Sequence, residues 1–316
     1  MTAAQCAAMR TVAGPTAVAA AASAAPARER QGVVLMAAGG LLLGTIGVFV
    51  EEAGQHPLTS VWFRCMFGAL ALLAWGAASG RLRELRLRGA GLAAALAAGV
   101  LMITNWALFF AAIERTSIGV ATVVFHVQPL WVMAVGAWWL REPVTRRQLG
   151  AALLALLGLA LATGLLDGAA ARGAGRLDGR YVIGLLLCLG GSLSYAAVTL
   201  IAKLAHERVS SFALAWWQCA VGTVALAAWP WLHGWPAPGV SWAWLVGLGV
   251  IHTGLAYVVL YAGMARLSTG RIALLQFVYP ASAVGVDWLV YGRALSPMQL
   301  GGVALMALAL LAVRPR

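Results

Sequence analysis

Polar side chains recur at mid-length of long apolar runs in this 316-residue chain, and their types suit reversible binding rather than bond-making. In one run His126 and Gln128 lead into Pro129; in another Gln276 and Tyr279 lead into Pro280. Asn105 and Trp106 stand in a third run, His252 and Tyr257 in a fourth, Tyr195 in a fifth. A polar group facing hydrocarbon is unfavourable, so such groups should face an interior cavity. There the amides, imidazoles and phenols would hydrogen-bond a solute while Trp106 and Tyr257 pack its apolar part. Each proline removes a backbone donor and frees the carbonyl one turn earlier, which adds acceptors to the cavity wall. These residues form the candidate substrate-binding set. Arg64, the only basic residue placed inside a run, and Asp287 are candidates for a gate or for ion coupling. Arg64 would either snorkel to the interface as an anchor or pair with Glu51 or Glu52 at the outer face.

Blander roles compete with these. A lone Ser or Thr in a helix, such as Thr45, Ser192 or Ser194, usually bonds its own backbone, and His252 could equally tie two helices together. Catalysis finds little support. The five histidines form no His-Glu-x-x-His pattern, and no phosphate loop or dinucleotide glycine fingerprint is present. Cys6, Cys65, Cys188 and Cys219 are scattered without metal-ligand spacing. No metal or other cofactor is expected. A membrane-embedded enzyme and a non-transporting receptor or scaffold are the rival classes.

The elements that must position these groups are membrane helices. The chain is 62% hydrophobic and only 10% charged, with a mean hydropathy of +0.87, where a soluble domain carries about a quarter charged residues. Ten apolar segments lie near 32–50, 59–79, 89–112, 118–140, 147–166, 181–203, 211–232, 241–263, 271–291 and 298–313. Most approach the roughly 20 residues that a helix needs to cross a bilayer. The net charge of +12 belongs to loops between these runs, not to one basic face, so no nucleic-acid partner is expected.

The stretch 105–150 recurs 151 residues later without a gap. Arg115, Ser117, Gly119, Pro129 and Gln148-Leu149-Gly150 return as Arg266, Ser268, Gly270, Pro280 and Gln299-Leu300-Gly301. Thr145-x-x-Gln148 and Ser296-x-x-Gln299 both read as capping boxes, which satisfy the free amides of a first helical turn. In the second segment of each half, Arg64-Cys65 and Gly68 match Gln218-Cys219 and Gly222. The expected organisation is a cytoplasmic disordered tail (1–31), a five-helix repeat (32–166), a linker (167–180) and a second five-helix repeat (181–313).

Five spans per repeat is an odd number, so the second copy enters the membrane upside down. Basic residues agree. With both termini cytoplasmic, the inner side receives Arg10, Arg28, Arg30, Arg81, Arg83, Arg86, Arg88, Arg141, Arg146, Arg147, Lys203, Arg208, Arg266, Arg271, Arg314 and Arg316. The outer side receives Arg115, Arg172, Arg176, Arg180 and Arg293. The expectation is an all-α integral membrane protein with ten transmembrane helices in two inverted five-helix repeats. Arginine outnumbers lysine 21 to one, which points to a GC-rich bacterial source and so to a bacterial cytoplasmic membrane.

The run Ala111–Gly150, with Arg115-Thr116-Ser117, Pro129 and Leu140-Arg141-Glu142-Pro143-Val144-Thr145-x-x-Gln148-Leu149-Gly150, resembles the signature of EamA-type drug/metabolite transporters. The resemblance spans about 32–313 and implies a ten-span secondary transporter that exports a small metabolite, amino acid or drug-like compound. Its partners would be that small molecule, the lipid bilayer and, as a candidate coupling ion, the proton. The second copy departs from the motif: Arg293 stands where the first has Glu142.

Overall fold

The computed structural model describes residues 15–165 and 179–311, with side chains from residue 26. Most of the expected linker, with Arg172 and Arg176, lies outside the described residues, as do 1–14 and 312–316. The described residues are helical with no strand. In the first half the helices are α1 (Pro15–Gly44), α2 (Ile46–Ala53), α3 (Pro57–Ala78), α4 (Gly89–Ile113), α5 (Ile118–Phe125), α6 (Gln128–Trp138) and α7 (Arg146–Ala162). In the second they are α8 (Gly179–Leu204), α9 (Ser211–Ala225), α10 (Trp229–His233), α11 (Ser241–Gly247), α12 (Ala256–Met264), α13 (Thr269–Leu275), α14 (Val278–Tyr291) and α15 (Pro297–Leu310).

Among the described residues, seven helices or bent helices are long and apolar enough to cross a membrane, and α15 is a shorter apolar helix. The two remaining apolar segments form α7 and α9, of 17 and 15 residues. Residues 15–31, expected as tail, are helical and continuous with the first span. Their alanines carry the highest helix propensity, which favours continuation of the helix. Large apolar side chains such as Leu70, Leu153, Leu186, Leu193 and Leu308 point outward. Exposure on that scale is unfavourable in water and natural in lipid.

The spans bend where the sequence supplies a reason. Pro129 lies in the first turn of α6, just past the break at His126–Val127. Pro280 stands in the same place in α14, past the break at Gln276–Phe277. Between α11 and α12, Leu248–Leu255 widens into a π-helix, and Thr253 Oγ1 donates to Leu248 O five residues back at 2.9 Å. Such π segments frequently mark functional sites. Both expected capping boxes are formed, at Thr145 and at Ser296.

Packing joins one half to the other in matched pairs. α8 packs on α4 and, equivalently, α12 on α1; α3 packs on the π segment and α9 on α4. α7 packs on α15, and α3 on α9. At that last contact a Cβ on Gly68 would meet Cys219 Sγ at 3.1 Å, and one on Gly222 would meet Cys65 Sγ at 2.5 Å. Each copy thus lays its cysteine against the other's glycine. Gly40 and Gly44 have the packing role expected of small residues in membrane helices, with Val278 and Ser282 filling the space beside them.

One pair breaks this match. α13 packs on α6, closing the end of the molecule that carries Glu142 and Thr269. There, a Cβ on Gly136 would fall 2.2 Å from Thr269 Oγ1. The equivalent helix halves at the other end, α5 and α14, make no comparable contact. Ile118, which corresponds to Thr269, is 69% exposed whereas Thr269 is fully buried.

Candidate functional site

The two proline breaks bring their glutamines to one hydroxyl. Gln128 Nε2 donates to Thr199 Oγ1 at 3.3 Å and Gln276 Nε2 donates to it at 3.1 Å. Thr199 donates in turn to Tyr195 O at 3.0 Å. Residues from α6, from the α13–α14 break and from α8 therefore meet at a single point. His126 caps α5 and its Nδ1 lies 2.7 Å from Thr122 O. Its ring centroid is 6.0 Å from that of Tyr279 and 6.2 Å from that of Phe277. Phe125 continues the aromatic contact to Tyr195 at 5.8 Å.

A second group lies on α3, α4 and the π segment. Arg64 is 8% exposed. Its Nε donates to Thr253 Oγ1 at 2.8 Å and its guanidinium sits 4.6 Å from the Trp106 ring centroid, a cation–π contact. Asn105 Nδ2 and the Tyr257 hydroxyl both approach Met102 Sδ, at 3.7 and 4.0 Å. α4 packs on α8 between the two groups, where a Cβ on Gly191 would meet Asn105 O at 3.3 Å, so they are neighbours. His252 also faces the break between α1 and α2, where its Nε2 lies 2.8 Å from Thr45 Oγ1. Among the described residues, the buried atoms without a hydrogen-bond partner include Asn105 Oδ1, Gln276 Oε1, Gln218 Nε2 and His252 Nδ1.

The first half of the chain supplies Glu142 as a clamp at the closed end. Its Oε2 accepts from Thr269 N at 2.7 Å and from Thr269 Oγ1 at 2.9 Å, capping α13. Its other oxygen pairs with Lys203 at the end of α8. Burial pushes the Glu142 carboxyl up, but the bonds from Lys203 and Thr269 outweigh it and hold the carboxyl below its ordinary value. At the opposite end Arg293 pairs with Glu51 and with Asp287, both at 2.7 Å, and Tyr291 donates to Glu52 at 3.1 Å.

Residues 30–164 and 182–314 each match the sequence profile of the EamA-like transporter family. The chain belongs to that family. Related sequences carry transporter names. An uncharacterized transporter, YxxF, of Bacillus subtilis is 27% identical over 263 residues, covering 82% of each chain. An uncharacterized transporter of Archaeoglobus fulgidus is 28% identical, covering 90% of this chain and 97% of its own. Protein RarD of Streptomyces exfoliatus is 28% identical, covering 79% and 75%. A solved structure superposes with a TM-score of 0.77 at 19% identity, over 89% of this chain and 96% of the other, a likeness of fold. The protein is therefore a multi-pass membrane protein of a transporter family.

In this EamA-like chain, most of the substrate-binding candidates converge. Gln128, Gln276, His126, Tyr279 and Tyr195 meet around Thr199; Asn105, Trp106 and Tyr257 meet around Arg64 and Met102. His252 lies at the edge, bonded to Thr45 at the break between α1 and α2. Two expectations about Arg64 are corrected. It is not an interfacial anchor, because α4 and the π segment cover it, and it does not pair with Glu51 or Glu52, whose partners are Arg293 and Tyr291. Asp287 is 39% exposed in its side chain and stands apart from the central groups, paired with Arg293 six residues along. Sequence reasoning missed Thr199, Thr253 and Met102. Each is an ordinary residue in an apolar helix, and only its place beside another helix gives it a role.

Proposed function

We propose that this EamA-like chain is a secondary transporter that exports a small metabolite, amino acid or drug-like compound by alternating access. On this reading ten helices cross a bacterial cytoplasmic membrane as two inverted five-helix repeats, 32–166 and 181–313, with both termini in the cytoplasm. One observation carries the mechanism: α13 packs on α6 at one end, while the equivalent α5 and α14 stand apart at the other. Two repeats that can each close the gap held open by the other have what a rocking transporter needs. On the proposed topology the closed end, with Glu142, faces the cytoplasm and the parted end faces out.

The cargo would sit between the proline breaks, against Gln128, Gln276, His126 and Tyr279, with Tyr195, Trp106 and Tyr257 as apolar walls. Inward-directed amides from both halves let the cargo, once bound, stabilise closure by bridging them. Protons remain the candidate coupling ion, with His126, two residues before Gln128, as the candidate titratable group. The test is uptake in proteoliposomes over a metabolite panel, with and without an imposed pH gradient, for wild type, His126→Ala and Gln276→Ala. Loss of transport in both variants, at native helix content, is expected. Wild-type binding and transport by both would place the cargo elsewhere.

A further inference from the structure

Arg64 is the only arginine, lysine, aspartate or glutamate among the buried described residues. No carboxylate among the described residues lies within ion-pair distance of it. Its Nε is committed to Thr253 and one face of the guanidinium to Trp106, while Nη1 and Nη2 have no hydrogen-bond partner among the described residues. A guanidinium withdrawn from water and left unpaired costs several kcal/mol. At membrane depth such a charge is retained where something compensates it. The duplicated half shows that this position tolerates a neutral residue. There Gln218 stands in place of Arg64 and its Oε1 accepts from the Tyr261 hydroxyl.

The surroundings define what would compensate the charge. Tyr257 lies one turn beyond Thr253, the partner of Arg64, and Tyr195 one turn beyond Gly191, which packs on Asn105 O; phenol hydroxyls can donate alongside a guanidinium fork. Every one of these donors favours an anion, and no buried acid is present among the described residues to favour a cation. Trp106, already stacked on the guanidinium, sets an aromatic wall beside the charge.

We propose that Arg64 is the specificity-determining residue of the cargo site and that the cargo is a small organic anion, a carboxylate on a flat apolar body. The carboxylate takes the free Nη1 and Nη2 edge of Arg64, and the body lies between Trp106 and the tyrosines toward Gln276. This rests on the transporter reading above and adds the charge of what is carried. Hydrophobic cations, a common class of drug, are poor cargo because they meet an uncompensated positive charge.

The full-length protein in lipid nanodiscs would be titrated calorimetrically with three probes of one shape: 3-phenylpropanoate, its neutral amide and 3-phenylpropylamine. Wild type should bind the carboxylate at least tenfold more tightly than the amide, with the amine weakest. Arg64→Gln should weaken carboxylate binding about 30-fold, or about 2 kcal/mol, and weaken the amide far less. Arg64→Lys keeps the charge but not the planar fork, so its loss should be smaller. An intermediate value for that variant separates lost recognition from a damaged fold. Amide or amine binding as tight as the carboxylate, or an Arg64→Gln protein that binds the carboxylate normally, overturns the anion proposal and leaves the transporter reading standing. If none of the three binds natively folded wild type, the proposed cargo site falls together with the charge preference.

Discussion

Glu142 offers the most direct handle on the closed end. Replacing it by Gln keeps the shape and leaves one carbonyl oxygen for the Thr269 N–H, so most of the α13 cap survives. What disappears is the charge facing Lys203, in a pair whose side chains are only 25% and 13% exposed. A hydrogen bond to a charged group contributes about 1.5–3 kcal/mol, so closure should weaken by about 2 kcal/mol. That is about a 30-fold rise in the open population. Glu142→Ala also removes the cap, which contributes about 1 kcal/mol more. The Thr269 amide donates directly to Glu142 and reports the opening, so hydrogen–deuterium exchange of the peptide covering 266–272 is the assay. The reverse pair Glu142→Lys with Lys203→Glu should recover the ionic part but not the cap, because lysine cannot accept a hydrogen bond. The pH dependence has a definite sign. A carboxyl held below its ordinary value contributes closure at neutral pH that is lost as pH falls through the depressed value. Opening, corrected for intrinsic exchange, should therefore be flat above the ordinary carboxylate range and rise only on its acid side. Unchanged protection at Thr269 in both Glu142→Gln and Lys203→Met would refute the clamp.

Two further outcomes follow from backbone geometry. Arg141 has φ 53°, a left-handed conformation that its counterpart Gly292 adopts at φ 61° without strain; Arg141→Gly should raise the melting temperature in detergent through relief of about 1 kcal/mol, and a lower melting point would contradict this. A Cβ on Gly158 would come 2.6 Å from Gly302 O on α15; Gly158→Val should lose about 1–3 kcal/mol of stability, and an unchanged unfolding curve would show that α7 and α15 can separate freely.

Local features were legible in the sequence because local chemistry makes them. The boxes at Thr145 and Ser296 and the breaks before Pro129 and Pro280 each depend on residues within one turn. The family membership was legible for the same reason, through a motif of turns and caps. Arg64 was misread because depth was judged by distance along the chain, about 10 Å from the start of its helix. What buries it is Trp106 and Thr253, 42 and 189 residues away in sequence. Thr199 carried no signal at all, since a threonine that bonds its own helix and one that also receives two glutamines look alike in one dimension. Asp287 was singled out as an acid within a span, and its partner Arg293 was read as an outer-side charge and a departure from the motif.

Glu142 and Arg293 hold equivalent places in the two halves, 151 residues apart, and each pairs with a residue of the opposite half, Lys203 and Glu51. In the proposed antiparallel arrangement, two copies of the first half would set Glu142 against Glu51 and Glu52. Two copies of the second would set Arg293 against Lys203. Both self-pairings bring like charges together, while the mixed pair makes an attraction at each end, Glu142 with Lys203 and Arg293 with Glu51. On the proposed arrangement, charge favours the mixed pair over either self-pairing, so each half is addressed to the other.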